Sequence, residues 1–423
     1  DAYVESTWRR LIDLADRHDA PGRFTAFIGY EYTAAPEGQN LHSNVLFRGS
    51  DVPARPFSSV DSQNPEDLWR WMDEARAAGS DVIAIPHNAN ASNGLMYEMI
   101  DRSGQPIDAA YADTRMRNEP VSEVMQIKGQ SETHPLLSPD DDWAPFSIFD
   151  TLLGDPNQKS RPQGSYARRA LMDGLELADA SGINPYRFGM IGSSDGHNAS
   201  SPVEEDNFTG KLGVFDATPA SRILPPPPGP TRVEVGTRRT SSAFSAAGLA
   251  GIWAEANTRA DLFDALRARE VFATSGPRIA VRFFAGWDLS AADLETGIAE
   301  NGYARGVPMG SELEGDGSSS PTFLVQAVRD PREATLERIQ IVKAWVEAGE
   351  AHERIYDVAC ADGRAASSET HRCMLDAQPP DRSDCSFDAS RGRADMAAAW
   401  TDPDFDREQH AFYYVRVLQI PTC

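Results

Sequence analysis

The sequence predicts an α/β domain of barrel type over residues 1–277, followed by a mostly β, sandwich-like domain over 278–423. Three observations carry that expectation. Apolar strand-like runs alternate with helix-patterned runs through the first two thirds of the chain, which implies a parallel α/β sheet or barrel. After about residue 278 the pattern changes to strands separated by Gly, Pro, Asp and Ser clusters. The length of 423 residues exceeds one ordinary domain and suits a barrel plus a smaller partner.

Taken in order, "WRRLIDLADRH" (8–18) has helical spacing of apolar residues and "FTAFIGYEYT" (24–33) reads as a strand. "PEDLWRWMDEARAAG" (65–79) opens on Pro and acidic residues and closes on Gly, the start and stop signals of a helix. "DVIAIPHNAN" (81–90) follows as a buried strand, and "VSEVMQIKG" (121–129) is another. "SYARRALMDGLELADASG" (165–182) is helical, and "YRFGMIGSSDG" (186–196) returns to strand. Residues 222–246 contain four consecutive prolines, which neither a helix nor a central strand accepts, so this segment is an excursion. "TRADLFDALRARE" (258–270) is a helix. "RIAVRFF", "TFLVQAV", "RIQIVKAWVE" and "FYYVRVLQI" then supply the β domain, with a long polar insertion at 362–395.

A net charge of −24 argues against a nucleic-acid backbone or an anionic membrane as the main partner. No signal peptide or membrane-length apolar run is present in the sequence. The four cysteines, Cys360, Cys373, Cys385 and Cys423, fit no Cys-x-x-Cys zinc spacing. One disulfide in an exported protein and free thiols in a cytosolic one both accommodate them.

The residues that bear chemistry recur at one kind of place. Glu31 closes "FIGYEYT", His87 closes "VIAIPH", Glu132 and His134 follow "VMQIKG", and Asp195 with His197 follow "FGMIGSS". In a parallel barrel every strand delivers its C-terminal end to one face, so residues distant in sequence meet there. Imidazoles and carboxylates meeting in this way are ligands for Zn²⁺, Mn²⁺ or Fe²⁺. Each residue alone reads equally as a turn former or a loop residue. Their joint position carries the inference, because His42, His87, His134 and His197 lie beside strand ends. The other four histidines, His18, His352, His371 and His410, read as surface residues.

The set Glu31 in "GYEYT", His87 in "IPHNAN", His134 in "KGQSETHP" and the "SDGH" pair resembles the later metal motifs of the polymerase-and-histidinol-phosphatase (PHP) superfamily. "NLHSNVLFRG", "NPYRFGMIGSSDGHN" and "DPDFDREQHAFYYVRVLQIPTC" are similar to a large bacterial branch of uncharacterised function, and the similarity spans essentially the whole chain. The resemblance implies an incomplete, distorted (β/α)7 barrel holding two or three divalent transition metal ions. It implies a metal-dependent hydrolase, a phosphoesterase that sets metal-activated hydroxide on a small anionic ester. Glu31 would be the bridging carboxylate, His87 and His134 ligands, and Asp195 and His197 the closing pair. His42 has no general counterpart and is a catalytic or substrate-contacting candidate. Lys128 is a candidate for the substrate's anionic group, or else an exposed strand-end lysine.

The His-x-His pair with which that superfamily opens is not found before Glu31. The resemblance therefore implies that the chain begins after those motifs, stops before a short tail, and turns over no ester alone. A metallohydrolase of another bond, such as a sulfate ester or amide, and a non-catalytic binding protein are the competing expectations.

Overall fold

The computed structural model describes residues 2–155, 157–197, 247–315, 319–374, 380–381, 386–388 and 390–422. The polyproline excursion at 222–246, Cys385, Cys423 and part of the polar insertion at 362–395 lie outside them. The chain forms two compact units, one of residues 1–174 and 182–276, the other of 175–181 and 277–423. No described helix is long and apolar enough to cross a membrane.

The first unit is mixed α/β. Helix α1 (Ala2–His18) buries Trp8, whose indole N–H donates to Pro53 O at 2.8 Å. Strands β1 (Ile28–Ala34), β2 (Leu41–Phe47) and β3 (Val82–Pro86) form an antiparallel sheet in that order. Helix α2 (Pro65–Ala77) connects β2 to β3, with Pro65 at its first turn and Asn64 capping the Glu66 N–H. Helix α3 (Ala109–Asn118) follows, capped by Asp108 on Tyr111 N–H.

Strand β4 (Val121–Gln126) pairs in parallel with β6 (Gly189–Gly192) and antiparallel with the short β5 (Gly129–Gln130). Helix α4 (Ala167–Ser181) lies between β5 and β6 in sequence. Strands β7 (Leu249–Ile252) and β8 (Val271–Thr274) form an antiparallel pair joined by helix α5 (Arg259–Ala268).

Among the described strands of this unit only β4 and β6 pair in parallel, which corrects the expectation of a parallel sheet. The reason is visible at β1 and β2. Their connection, 35–40, holds only a single tight turn, whereas a parallel crossover needs about a dozen residues or more. No described sheet closes on itself into a barrel.

The sheets share one core nonetheless. Strand β3 lies beside β4, and β6 lies beside both β7 and β8. Ile83, Ile85, Val121, Ile191, Phe263, Leu266 and Val271 form one buried cluster, with Leu46 and Ile252 packed against it. Gly192 makes the close approach tolerable: a Cβ there would stand 2.7 Å from both Leu249 O and Thr274 O.

The second unit is β-rich, as the sequence pattern implies. Strands β9 (Ala280–Gly286), β10 (Val307–Pro308), β11 (Thr322–Val328) and β14 (Asp395–Thr401) form one antiparallel sheet in the order β10-β9-β11-β14. Strands β12 (Leu336–Glu347), β13 (Glu350–Cys360) and β15 (Ala411–Gln419) form another, with β12 central. Helices α6 (Ala292–Thr296) and α7 (Ile298–Arg305) separate β9 from β10 in sequence. Aromatic rings join the two sheets: Phe323 and Trp400 pack on Tyr413 and Tyr356 at centroid separations of 4.4 and 4.9 Å.

Cys360 and Cys373 are disulfide-bonded, closing a loop of sequence separation 13. Chain-entropy arguments assign a loop of that size about 3 kcal/mol. The double variant Cys360→Ser with Cys373→Ser is expected to lose about 2–3 kcal/mol from the unfolding of the second unit. Urea melts of the variant and of reduced and oxidised parent protein check this.

Candidate metal centre

The register of the β1-β2-β3 sheet assembles the centre. Glu31 lies opposite Asn44, Thr33 opposite His42, and Asn44 opposite Ile85. Opposed residues share a sheet face and so do residues two apart, so Glu31, His42, Asn44 and His87 all project to one side. That side is continuous with the aliphatic core. Leu46 and Ile83 lie one pleat earlier, and Ile85 precedes His87 by two residues. Two further strands make the same step from an aliphatic to a polar residue, Val121 to Glu123 on β4 and Ile191 to Ser193 after β6.

Glu31 is the hub. Its Oε1 lies 2.8 Å from His42 Nδ1 and 3.2 Å from His87 Nε2, and its Oε2 lies 3.7 Å from His197 Nε2. The Glu31, His42 and His87 donor atoms all fall within 4.8 Å of one another, a group able to hold a metal ion. The two imidazole rings meet edge to face at 5.6 Å. His87 is only 2 % exposed, whereas the His197 side chain is 41 % exposed and forms the open side of the group. His197 Nδ1 also lies 2.8 Å from Asp195 O and 3.7 Å from Asp195 Oδ1.

The electrostatics favour an ionised Glu31 beside a neutral His42. Burial alone would push the Glu31 carboxyl up, but hydrogen bonds from His42 and His87 and the charges on those rings outweigh it. Glu31 is held well below the usual carboxylate range. Burial pulls His42 down, and His87 and Lys128 add to that effect against the opposing pull of Glu31. An ionised Glu31 accepting from a neutral His42 Nδ1–H satisfies both directions and leaves His42 Nε2 with its lone pair.

Neighbouring amides fix the loop that carries His87. Asn40 Nδ2 donates to His87 O at 2.8 Å and to Asn88 O at 3.1 Å, and Asn44 Nδ2 lies 3.4 Å from His87 Nδ1. The "NLHSN" stretch carries the signal for this: Asn40, His42 and Asn44 are spaced by two, so a strand presents all three on one face.

Three expectations change. His42, expected as a catalytic or substrate-contacting residue, sits inside the ligand group itself, because its register opposite Thr33 sets it diagonal to Glu31. His134 stands outside that group. Its Nδ1 accepts from Leu136 N–H at 3.1 Å, its ring packs on Tyr166, and burial lowers it with Asp150 and Lys159 as the charges acting on it. Lys128 is not an exposed strand-end lysine. It is 6 % exposed and its Nζ is ion-paired with Asp195. Glu132 is likewise engaged, accepting from Arg168 at 2.6 Å.

The family described as "Protein of unknown function (DUF3604)" matches the chain over residues 1–423. No curated protein and no solved structure matches it.

Asn40→Ala is expected to remove the side-chain donor of the His87 carbonyl and one of the two donors of the Asn88 carbonyl, which keeps the Ala91 N–H. The cost is about 1–3 kcal/mol of stability in the first unit, with weaker divalent-metal binding. Denaturant titration and metal titration of the same sample check the two effects together.

Proposed function

The chain belongs to the DUF3604 family, and on that premise we propose a metal-dependent hydrolase of small anionic esters, phosphate esters first among them. One observation carries the reading: a single carboxylate oxygen of Glu31 lies within 2.8 and 3.2 Å of nitrogens on two different imidazoles. Two imidazoles and a carboxylate are the donor set that Zn²⁺, Mn²⁺ and Fe²⁺ take. Glu31, His42 and His87 would hold the ion, and Asp195 and His197 would extend the set toward a second.

When bound, such an ion supplies Lewis acidity toward the ester oxygens and brings a water's pKa to about 7. The chain's own residues do the rest. Ionised Glu31 offers a second oxygen toward His197, which gives the carboxylate the two-sided reach of a bridging ligand. His87 is buried against its neighbours and its ring angle is fixed through Asn44, so this donor is preorganised. His197, the exposed member, is placed to exchange protons with solvent. Lys128 neutralises Asp195 and so lowers the repulsion among the acidic groups of the centre.

The resemblance to the PHP superfamily supports this reading through the residues Glu31, His87, Asp195 and His197. The incomplete, distorted barrel of that superfamily is the architecture we attach to it. In support, β3 lies beside β4 and β6 beside β8 around one aliphatic core.

Metal analysis is the direct test, because it reads the centre whether or not ester is turned over. Purified protein is expected to carry divalent transition metal, and Glu31→Ala or His87→Ala to weaken its binding more than about 100-fold, beyond the cost typical of outer-sphere changes. Unchanged metal content in both variants sinks the proposal. A panel of phosphate, sulfate and carboxylic esters, each with and without chelator, then identifies the bond broken.

A further inference from the structure

Glu123 is an acidic residue inside the fully buried strand β4, and it is 2 % exposed. Burial of such a group is costly unless hydrogen bonds satisfy it. Its two donors come from two different loops. Oε1 accepts the backbone N–H of Asn88 at 3.3 Å, and Oε2 accepts the hydroxyl of Ser193. Asn88 directly follows His87, and Ser193 precedes Asp195 by two residues.

Both loops need such a hold. Asn88 has φ 55° and Asp195 has φ 51°, left-handed conformations that Asn and Asp adopt more readily than other side chains and that anchoring contacts hold in place. The Asn88 side chain does not supply that constraint, since both atoms of its buried amide lack a hydrogen-bond partner. The anchors of this residue are instead its N–H on Glu123 and its C=O, which accepts from Asn40 and from the Ala91 N–H. The β4–β6 register also shifts between Glu123 and Met125, and such an irregularity re-aims the side chain beside it.

We infer that Glu123 is a positioning residue that sets the separation between His87 and the Asp195–His197 pair by holding both loops on one carboxyl group. The inference rests on the metal reading above and deepens it. Among the described residues, Glu123 is joined to the loops of the centre through Asn88 and Ser193. Its effect is on how well the donors are preorganised, the role that outer partners of metal ligands play.

The test is Co²⁺ titration of the purified protein, read both as dissociation constant and as the visible spectrum of the bound ion. Glu123→Ala is expected to raise the constant about 10–100-fold and to alter the spectrum. Ser193→Ala, which removes one arm and leaves Glu123 in place, is expected to raise it about 2–10-fold, the worth of one such hydrogen bond. In a Glu123→Ala background, Ser193→Ala is expected to add little, because the hydroxyl has already lost its acceptor. Should Glu123→Ala fail to fold, the near-isosteric Glu123→Gln and Ser193→Ala carry the test.

Wild-type affinity and spectrum in folded Glu123 variants, with only the denaturation midpoint lowered, overturn the positioning role and leave the metal reading standing. Fully additive effects of Glu123→Ala and Ser193→Ala overturn it as well. Wild-type protein that takes up no Co²⁺ overturns the metal reading and this inference with it.

Discussion

An ionised carboxylate held among imidazoles in a half-buried setting is the constraint on which the first unit's chemistry depends. Glu31 is only 26 % exposed at its side chain, and an unpaired charge there would be expensive. His42 and His87 remove that cost, and they can do so only because β1, β2 and β3 run antiparallel in the register observed. A slip of one residue at β2 would turn His42 and Asn44 to the opposite face and leave Glu31 without its His42 donor.

The position of the polar group relative to the core follows from strand periodicity. On β3, β4 and the end of β6 an aliphatic residue is followed two positions later by a polar one: Ile85 by His87, Val121 by Glu123, Ile191 by Ser193. The lower level supplies the burial that orders the strands, at about 25 cal/mol for each Å² of apolar surface removed from water. The upper level inherits that order. Loops that carry Asn88 and Asp195 in left-handed conformations can persist because the strands beneath them are rigid.

Around the hub the hydrogen-bond donors are shared rather than private. Asn40 serves two carbonyls at once, and Glu123 serves two loops. Such connections make the arrangement of His87, Asp195 and His197 a property of several strands together. A change at any of these residues is felt at the donors even where it touches none of them.

The sequence by itself determined helices and strands such as α1, β1, α2, β3, β4 and α4 in the first 277 residues, the β character after 278, and the polar residues His87, Asp195 and His197 that follow strands; Glu31, read as a strand-end residue, lies in the middle of β1. Periodicity and turn chemistry are local, so these were legible without coordinates. Strand direction was not: the short 35–40 connection made β1 and β2 antiparallel, and β3 pairs antiparallel with β2 although helix α2 lies between them in sequence. Among the described strands of the first unit only β4 and β6 kept the parallel pairing that alternation suggested. Tertiary structure alone decided that His42 joins Glu31 and His87, that His134 turns to Leu136 N–H and Tyr166, and that Lys128 is taken up by Asp195. Each of those outcomes depends on which residue lies across the sheet or at the next loop, and register and loop packing join positions that no local pattern connects.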